Sequence, residues 1–207
     1  MPKILFVCHG NICRSPMAEF VMKHKVAEMF GATGTRGELG TAQSCGSATS
    51  RDNRVSAKSR GGLTAADFEI ASAATSTEEI GNPVYPPARR LLNSKGIDCS
   101  GHAARQMTQR DYDYYDYIIL MDHNNLRNLR WNINAADYAR ETSRDVTASP
   151  SRETQERKKV SLMMDWTSRP GDVADPWYTG NFEATWRDVN EGCDGLLRYI
   201  VERASNS

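Results

Sequence analysis

The sequence predicts an α/β fold around a four-stranded parallel sheet, with the chemistry at the carboxyl end of the first strand. Three observations carry that prediction. Apolar runs of strand length recur at residues 3–7, 68–70, 117–121 and 160–164. Segments with apolar residues at helical spacing alternate with them, a pattern that calls for right-handed crossovers and parallel strands. A short polar loop, residues 8–14, joins the first run to the first helix, where open α/β sheets place their ligands.

In chain order, Ile4, Leu5, Phe6 and Val7 form an unbroken apolar run, as expected of a strand buried on both faces. Ser15-Pro16 then opens a helix, with Ser15 as N-cap and Pro16 where its missing N–H is no loss. Ala18, Met22, Val26 and Met29 give that helix a core-facing stripe, and Gly31 and Gly34 end it. Residues 31–66 are dominated by Gly, Thr, Ser, Ala and Arg and read as a polar insertion. Phe68-Glu69-Ile70 is a short strand, residues 72–83 a polar turn region, and Pro86-Pro87 the start of a helix that stops at Gly96. Tyr117-Ile118-Ile119-Leu120-Met121 is the clearest second buried strand, with Asp122 capping the helix that carries Leu126 and Leu129. Residues 134–158 are a second polar insertion. In the final helix Phe182, Trp186, Val189, Cys193, Leu196 and Ile200 step by three and four, so Cys193 belongs to the core.

Composition narrows the function. A chain of 207 residues suits a single domain over 1–207 and is ample for a buried core. Its 26 basic and 26 acidic side chains cancel, which argues against a nucleic-acid binder held by bulk charge. No apolar run reaches the roughly 18 residues that span a bilayer. The N-terminal apolar stretch is too short for a cleavable signal, and polar residues follow it at once. Five cysteines are odd in number and too few for a disulfide scaffold, so a reducing, cytoplasmic setting is expected. The four histidines are scattered, and neither a metal nor another cofactor is expected. A monomer is the default.

The chemistry lies in Cys8-His9-Gly10-Asn11-Ile12-Cys13-Arg14-Ser15. A cysteine, five residues and an arginine between a buried strand and a helix N-terminus make an anion cradle with a nucleophile at its base. Loop N–H groups and the positive helix end would hold phosphate oxygens and favour the Cys8 thiolate. Arg14 adds a planar fork for two of those oxygens. The spacing alone is not selective, because Cys45 to Arg51 and Cys99 to Arg105 repeat it. Neither copy follows a buried strand or opens a helix, so Cys45 and Cys99 are read as ordinary thiols.

Val7-Cys8-His9-Gly10-Asn11-Ile12-Cys13-Arg14-Ser15-Pro16-Met17-Ala18-Glu19 resembles the signature of the low-molecular-weight protein tyrosine phosphatases. The resemblance recurs at Ser72-Ala73-Ala74-Thr75-Ser76, Ile80-Gly81-Asn82-Pro83, Gly101-His102-Ala103-Ala104-Arg105-Gln106 and Tyr117-Ile118-Ile119-Leu120-Met121-Asp122. It ends at Asp175-Pro176-Trp177-Tyr178, similar to the family's Asp-Pro-Tyr-Tyr acid loop. The two insertions are longer than the family's usual connections.

The resemblance implies a small Rossmann-like three-layer fold and a metal-independent hydrolase of phosphotyrosine proteins or small aryl phosphates. Cys8 would attack phosphorus and form a phosphocysteine, and Asp175 would serve as general acid and then base. Ser15 would hydrogen-bond the Cys8 sulfur, and Asn11 would occupy a left-handed loop position held by Ser72 and His102. Trp177 and Tyr178 would wall a deep slot, and Cys13 would form a reversible disulfide with Cys8. Glu78 and Glu79 stand near where the family carries an aromatic residue, which should disfavour acidic phosphopeptides. Ala71 replaces an Asp that many members place before the Ser-Ala pair. The tyrosines of residues 111–117 are expected as packing rather than as phosphorylation targets.

Three rivals remain open. A thioredoxin-coupled arsenate reductase shares the cradle but needs closely spaced relay cysteines, whereas Cys45, Cys99 and Cys193 lie far apart. Protein-arginine phosphatases carry Thr where Ile12 stands here. A non-catalytic phosphotyrosine-binding module would use the same scaffold without needing all of Cys8, Arg14, Ser15 and Asp175.

Overall fold

In the computed structural model, which describes residues 1–31, 62–143 and 159–206, four strands form one parallel sheet. They are β1 (Lys3–Cys8), β2 (Glu69–Ala74), β3 (Tyr117–Leu120) and β4 (Val160–Leu162), in the order β2-β1-β3-β4. β1 sits inside the sheet, with Val7 in register with Ala73 on one side and Leu120 on the other. The chain thus leaves β1 to build both flanks of the sheet, and the loops after β1 and β3 open a cleft at their carboxyl ends. Gly34, Cys45 and the greater part of both insertions lie outside the described residues.

Alternation along β1 divides the core in two. Ile4 and Phe6 join Met17, Val21, Met22, Leu196 and Ile200 on one face. That layer is made by α1 (Arg14–Phe30), α2 (Pro86–Ser94) and the last helix, Phe182–Ser205. Leu5 and Val7 join Met107, Tyr112, Leu129 and Ile133 on the other face. There stand α3 (Gln109–Tyr114), α4 (His123–Asn128) and α5 (Ala135–Thr142). After β4 and a short 3-10 turn comes a single helical turn, α6 (Pro176–Thr179), and then the last helix, α7. Cys193 is fully buried in α7, as its spacing predicts.

Several sequence expectations need correction. Ser15 does not cap α1; the cap position is Cys13, without a side-chain bond, and Ser15 lies in the first turn. Its hydroxyl is drawn instead into the loop network described below. Met29 is only half-buried, and Phe30 completes the stripe. β2 continues through Ser72, which the sequence reading places in a turn, because residues 69–74 pair all along β1. Ala71 points away from the loop: it packs with the Leu5 and Val7 side of the sheet, opposite to Ser72. Within residues 134–158, Asn134 caps α5, although none of α5 is buried. The helix α3 escapes the sequence reading altogether. Tyr112 and Tyr115 beside it are buried, and Tyr114 donates to Glu69. Tyr112, Tyr115 and the half-buried Tyr117 thus pack as expected, whereas Tyr114 is exposed.

Candidate functional site

Residues 8–14 curl at the carboxyl end of β1, and the sulfur of Cys8 sits at the base of the curl. The Asn11 N–H donates to Cys8 Sγ over 3.3 Å, and Ser15 Oγ lies 3.0 Å from the same sulfur. The curl turns on Asn11, the one described non-glycine residue with positive φ, at 58°. A left-handed conformation costs an L-residue about 1–2 kcal/mol. Asn11 offsets it by engaging every polar group it has. Its amide nitrogen donates to Ser15 Oγ at 2.9 Å and Ser72 Oγ at 2.8 Å, and its Oδ1 accepts from the Arg105 N–H at 3.1 Å. Its carbonyl accepts from His102 Nε2 at 2.8 Å, which places the imidazole hydrogen on Nε2.

Ser72 passes the network on to Glu19, donating to Oε2 at 2.5 Å, and Lys23 meets the other oxygen. Glu19 is buried, so this carboxylate needs those partners. Its place in the sequence signals no such task; only the packing of α1 against β2 brings Glu19 to Ser72.

Arg14 is 4% exposed and held between two carboxylates. Nη1 meets Asp122 Oδ2, and Nη2 meets Asp175 Oδ2 at 2.6 Å. Burial works to lower the affinity of Arg14 for its proton, but Cys8, Asp175 and Asp122 outweigh it and raise the pKa above the ordinary arginine value. Asp122 is the residue that sequence reading underused. Its Oδ1 caps α4 by accepting from the Asn125 N–H at 2.6 Å, as predicted, while its other oxygen braces Arg14. Its place directly after β3, at the cleft, was the available signal. Asp175 likewise works twice, accepting from the Trp177 N–H at 3.0 Å to cap α6.

Cys8, Arg14, Asp122 and Asp175 share a cavity of about 300 Å³ with His9, Gly10, Ile12, Cys13, Glu78, Glu79, Trp177 and Tyr178. All the sequence-predicted cradle and wall residues therefore meet in one place, except that Asn11, Ser15, Ser72 and His102 stand behind it. Trp177 is 59% and Tyr178 86% exposed, so neither is a core residue. The Trp177 ring leans on Tyr85 at 5.4 Å, and the Tyr85 N–H donates to the Ile12 carbonyl, tying the aromatic wall to the loop. Glu78 pairs with His9 at 3.1 Å in the open, and Glu79 bonds Asn82. Glu79 also packs over Gly10, where a Cβ would stand 3.1 Å from its Cγ. Among the described residues, no group of three or more metal-ligating side chains comes together. Cys99 is buried in the core, and Arg105 pairs with Asp111, so that spacing forms no second cradle.

Cys13 lines the cavity but is a different thiol. Burial, reinforced by the nearby Cys8 and Asp175, pushes its pKa up to about 12. A thiol raised in this way stays protonated as pH climbs past 9. At pH 8 its thiolate fraction, and with it alkylation by iodoacetamide, should be roughly 10³-fold below that of a free thiol. Peptide mass spectrometry after timed labelling checks this; labelling of Cys13 at a free-thiol rate would refute it.

Residues 3–55 and 39–144 match the family model for low molecular weight phosphotyrosine protein phosphatase. The chain is 31% identical over 202 residues to the low molecular weight protein-tyrosine-phosphatase YfkJ of Bacillus subtilis, covering 97% of this chain and 96% of that protein. It is 26% identical over 205 residues to PtpA, of the same description, from Staphylococcus aureus, covering 99% and 97%. The crystal structure of YfkJ superposes with a TM-score of 0.67 at 29% identity, over 98% of this chain and 96% of that one. The drosophila arginine phosphatase structure gives 0.62 at 23% identity over 96% and 97%, a likeness of fold.

Proposed function

The chain belongs to the low-molecular-weight protein tyrosine phosphatase family, and from that premise we propose that it hydrolyses phosphotyrosine and other aryl phosphate monoesters through a phosphocysteine on Cys8. The observation that supports this most directly is the pairing of Arg14 Nη2 with Asp175 Oδ2 at 2.6 Å in the cavity that Cys8 lines. Nucleophile, phosphoryl-binding cation and acid share one small space.

The phosphoryl group enters with its oxygens on the loop N–H groups and the guanidinium of Arg14. It competes with Asp175 for Nη2, which frees the carboxyl to face the departing oxygen. Cys8 attacks in line, the P–O bond to the phenol breaks, and Asp175 gives the leaving oxygen its proton. Asp175 then takes a proton from the water that cleaves the phosphocysteine. Ser15, by bonding Sγ, makes Cys8 a better leaving group in this second step. Transfer of this kind gains most from positioning and charge stabilisation, which is what a pre-formed loop supplies.

Trp177 and Tyr178 select for reach, since a short phosphoserine cannot bring its phosphorus down to the sulfur between two ring walls. Glu78 and Glu79 disfavour acidic sequences around the phosphotyrosine. Where a peroxide oxidises the Cys8 thiolate to a sulfenic acid, releasing water, the Cys13 thiol would condense with it, losing a second water to form a disulfide that protects the nucleophile; its raised pKa makes that step slow. The protein works as a monomer in the cytoplasm, one domain over 1–207 with insertions at about 31–66 and 134–158, and needs no cofactor. Among the described residues no helix is long and apolar enough to cross a membrane.

Rapid mixing with an aryl phosphate should release phenol in a burst of about one equivalent per site, followed by slower turnover. A phosphotyrosine peptide should be a far better substrate than phosphoarginine. Ile12 lines the cavity, and Ile12→Thr should shift that ratio toward phosphoarginine by about tenfold, the scale of one small apolar change in a pocket. Wild-type protein that turns over phosphoarginine or arsenate but no aryl phosphate would overturn the proposal.

A further inference from the structure

The acid loop is gripped from behind by the last helix. Asp172 Oδ1 accepts from the His123 N–H at 3.0 Å, and the Val173 N–H donates to the Met121 carbonyl at 2.9 Å. Ala174, immediately before Asp175, is held on both sides. Thr185 Oγ1 donates to its carbonyl at 2.8 Å, and its N–H faces Asp188 Oδ2 at 3.5 Å.

Neither contact is what an α7 core position would ordinarily provide. Thr185 is fully buried and Asp188 is 4% exposed, on a helix whose other inward residues include Val189, Cys193, Leu196 and Ile200. A threonine inside a helix usually turns its hydroxyl to the carbonyl four residues back. Here that carbonyl, of Asn181, is 3.4 Å away, and the shorter bond crosses to Ala174. Asp188, a carboxylate that burial disfavours, is supported by Arg169 Nη2 at 3.1 Å, which also holds Glu191. Arg169 lies earlier on the same loop, so that loop is tied to α7 at both of its ends.

The carbonyl of Ala174 lies in the same rigid peptide plane as the nitrogen and Cα of Asp175. Holding that plane through Thr185, and the preceding plane through Asp188, leaves the Asp175 backbone little freedom. We propose that Thr185, seconded by Asp188, is a positioning residue that aims the Asp175 carboxyl at the leaving-group oxygen; the inference rests on the general-acid role given to Asp175 above. Proton transfer is sensitive to such aim, since a displacement of about 1 Å can cost on the order of 10²-fold.

The test is kcat/KM for phenyl phosphate, whose leaving group needs a proton, against 2,4-dinitrophenyl phosphate, whose leaving group does not. Thr185→Val keeps the shape and removes the donor. It should slow phenyl phosphate about tenfold and leave the dinitrophenyl ester within about twofold, and Thr185→Ser should restore the loss. Asp175→Asn sets the limit of the effect. A drop of equal size on both substrates, no drop on either, or a serine variant no better than valine would overturn the proposal. If Thr185→Val does not fold, Asp188→Asn carries the same comparison: a loss confined to phenyl phosphate supports the proposal, and a uniform loss or none overturns it. If Asp175→Asn is itself unselective, the acid assignment fails and the inference with it. If Asp175→Asn is selective and Thr185→Val is not, only the positioning role fails.

Discussion

Cys8→Ser is expected to abolish the phenol burst and lower turnover by on the order of 10⁴-fold or more, while leaving the fold in place. The nucleophile has the Asn11 N–H donating to it at 3.3 Å, and Ser15 Oγ stands 3.0 Å away, where its one hydrogen can turn from the Ala73 carbonyl, 3.2 Å off, to a sulfur anion. A serine hydroxyl fills nearly the same space and can join the same hydrogen bonds, so the loop keeps its shape. It cannot ionise near neutral pH, and no general base stands among its hydrogen-bond partners. The variant should therefore still bind a phosphotyrosine peptide by isothermal titration. Burst kinetics and peptide binding are read on the same preparation. Turnover within tenfold of wild type would refute the assignment of Cys8; a wild type that binds the peptide without any burst would leave a binding module as the better description.

Arg14→Lys should lower kcat/KM for aryl phosphates by about 10³-fold, although the charge is kept. The two guanidinium nitrogens divide between Asp122 and Asp175, and the same fork must later hold two phosphoryl oxygens. Lysine offers one point charge on a flexible stem. It can reach one carboxylate or one oxygen, but cannot span a pair. With no cation at position 14, Asp122 is left buried with only its helix-capping bond, and losing one partner of a buried ion pair in this way costs about 3–5 kcal/mol. Arg14→Ala should accordingly add a fall in Tm to the loss of activity, and Arg14→Lys a smaller one. Steady-state kinetics and thermal unfolding on both variants separate the two effects. A lysine variant within tenfold of wild type would show that planarity does not matter here.

Much of this site is legible one residue at a time. The run Ile4-Leu5-Phe6-Val7 announces a doubly buried strand, and the Cys8 to Arg14 spacing acquires meaning only because that strand precedes it and a helix follows. Asp122 and Asp175 could each be recognised as a helix cap or turn residue, since capping is a local matter. Local signals fail where side chains are small or the partner is distant. The end of β2, Ala71-Ser72-Ala73-Ala74, carries no apolar alternation strong enough to read as a strand, and pairing with β1 makes it one. Ser15 looks like an N-cap by type and position, yet the cysteine sulfur and Asn11 compete for its hydroxyl and win.

The order of residues by itself determined the α/β class, the parallel sheet and the anion-binding loop with its thiol, because hydrophobic periodicity and turn chemistry act over a few neighbours; the acid loop at Asp175-Pro176-Trp177-Tyr178 is legible only by its resemblance to the family's motif. Tertiary structure alone decided that Asp122 braces Arg14, that Glu19 anchors Ser72, that Tyr85 supports Trp177, and that Thr185 and Asp188 hold the residue before Asp175. The partners in each of these contacts come from different elements, some as far apart in sequence as Arg14 and Asp122. Hydrogen bonds and ion pairs reach only about 3 Å, so which groups satisfy one another is settled when strands and helices pack, and not before.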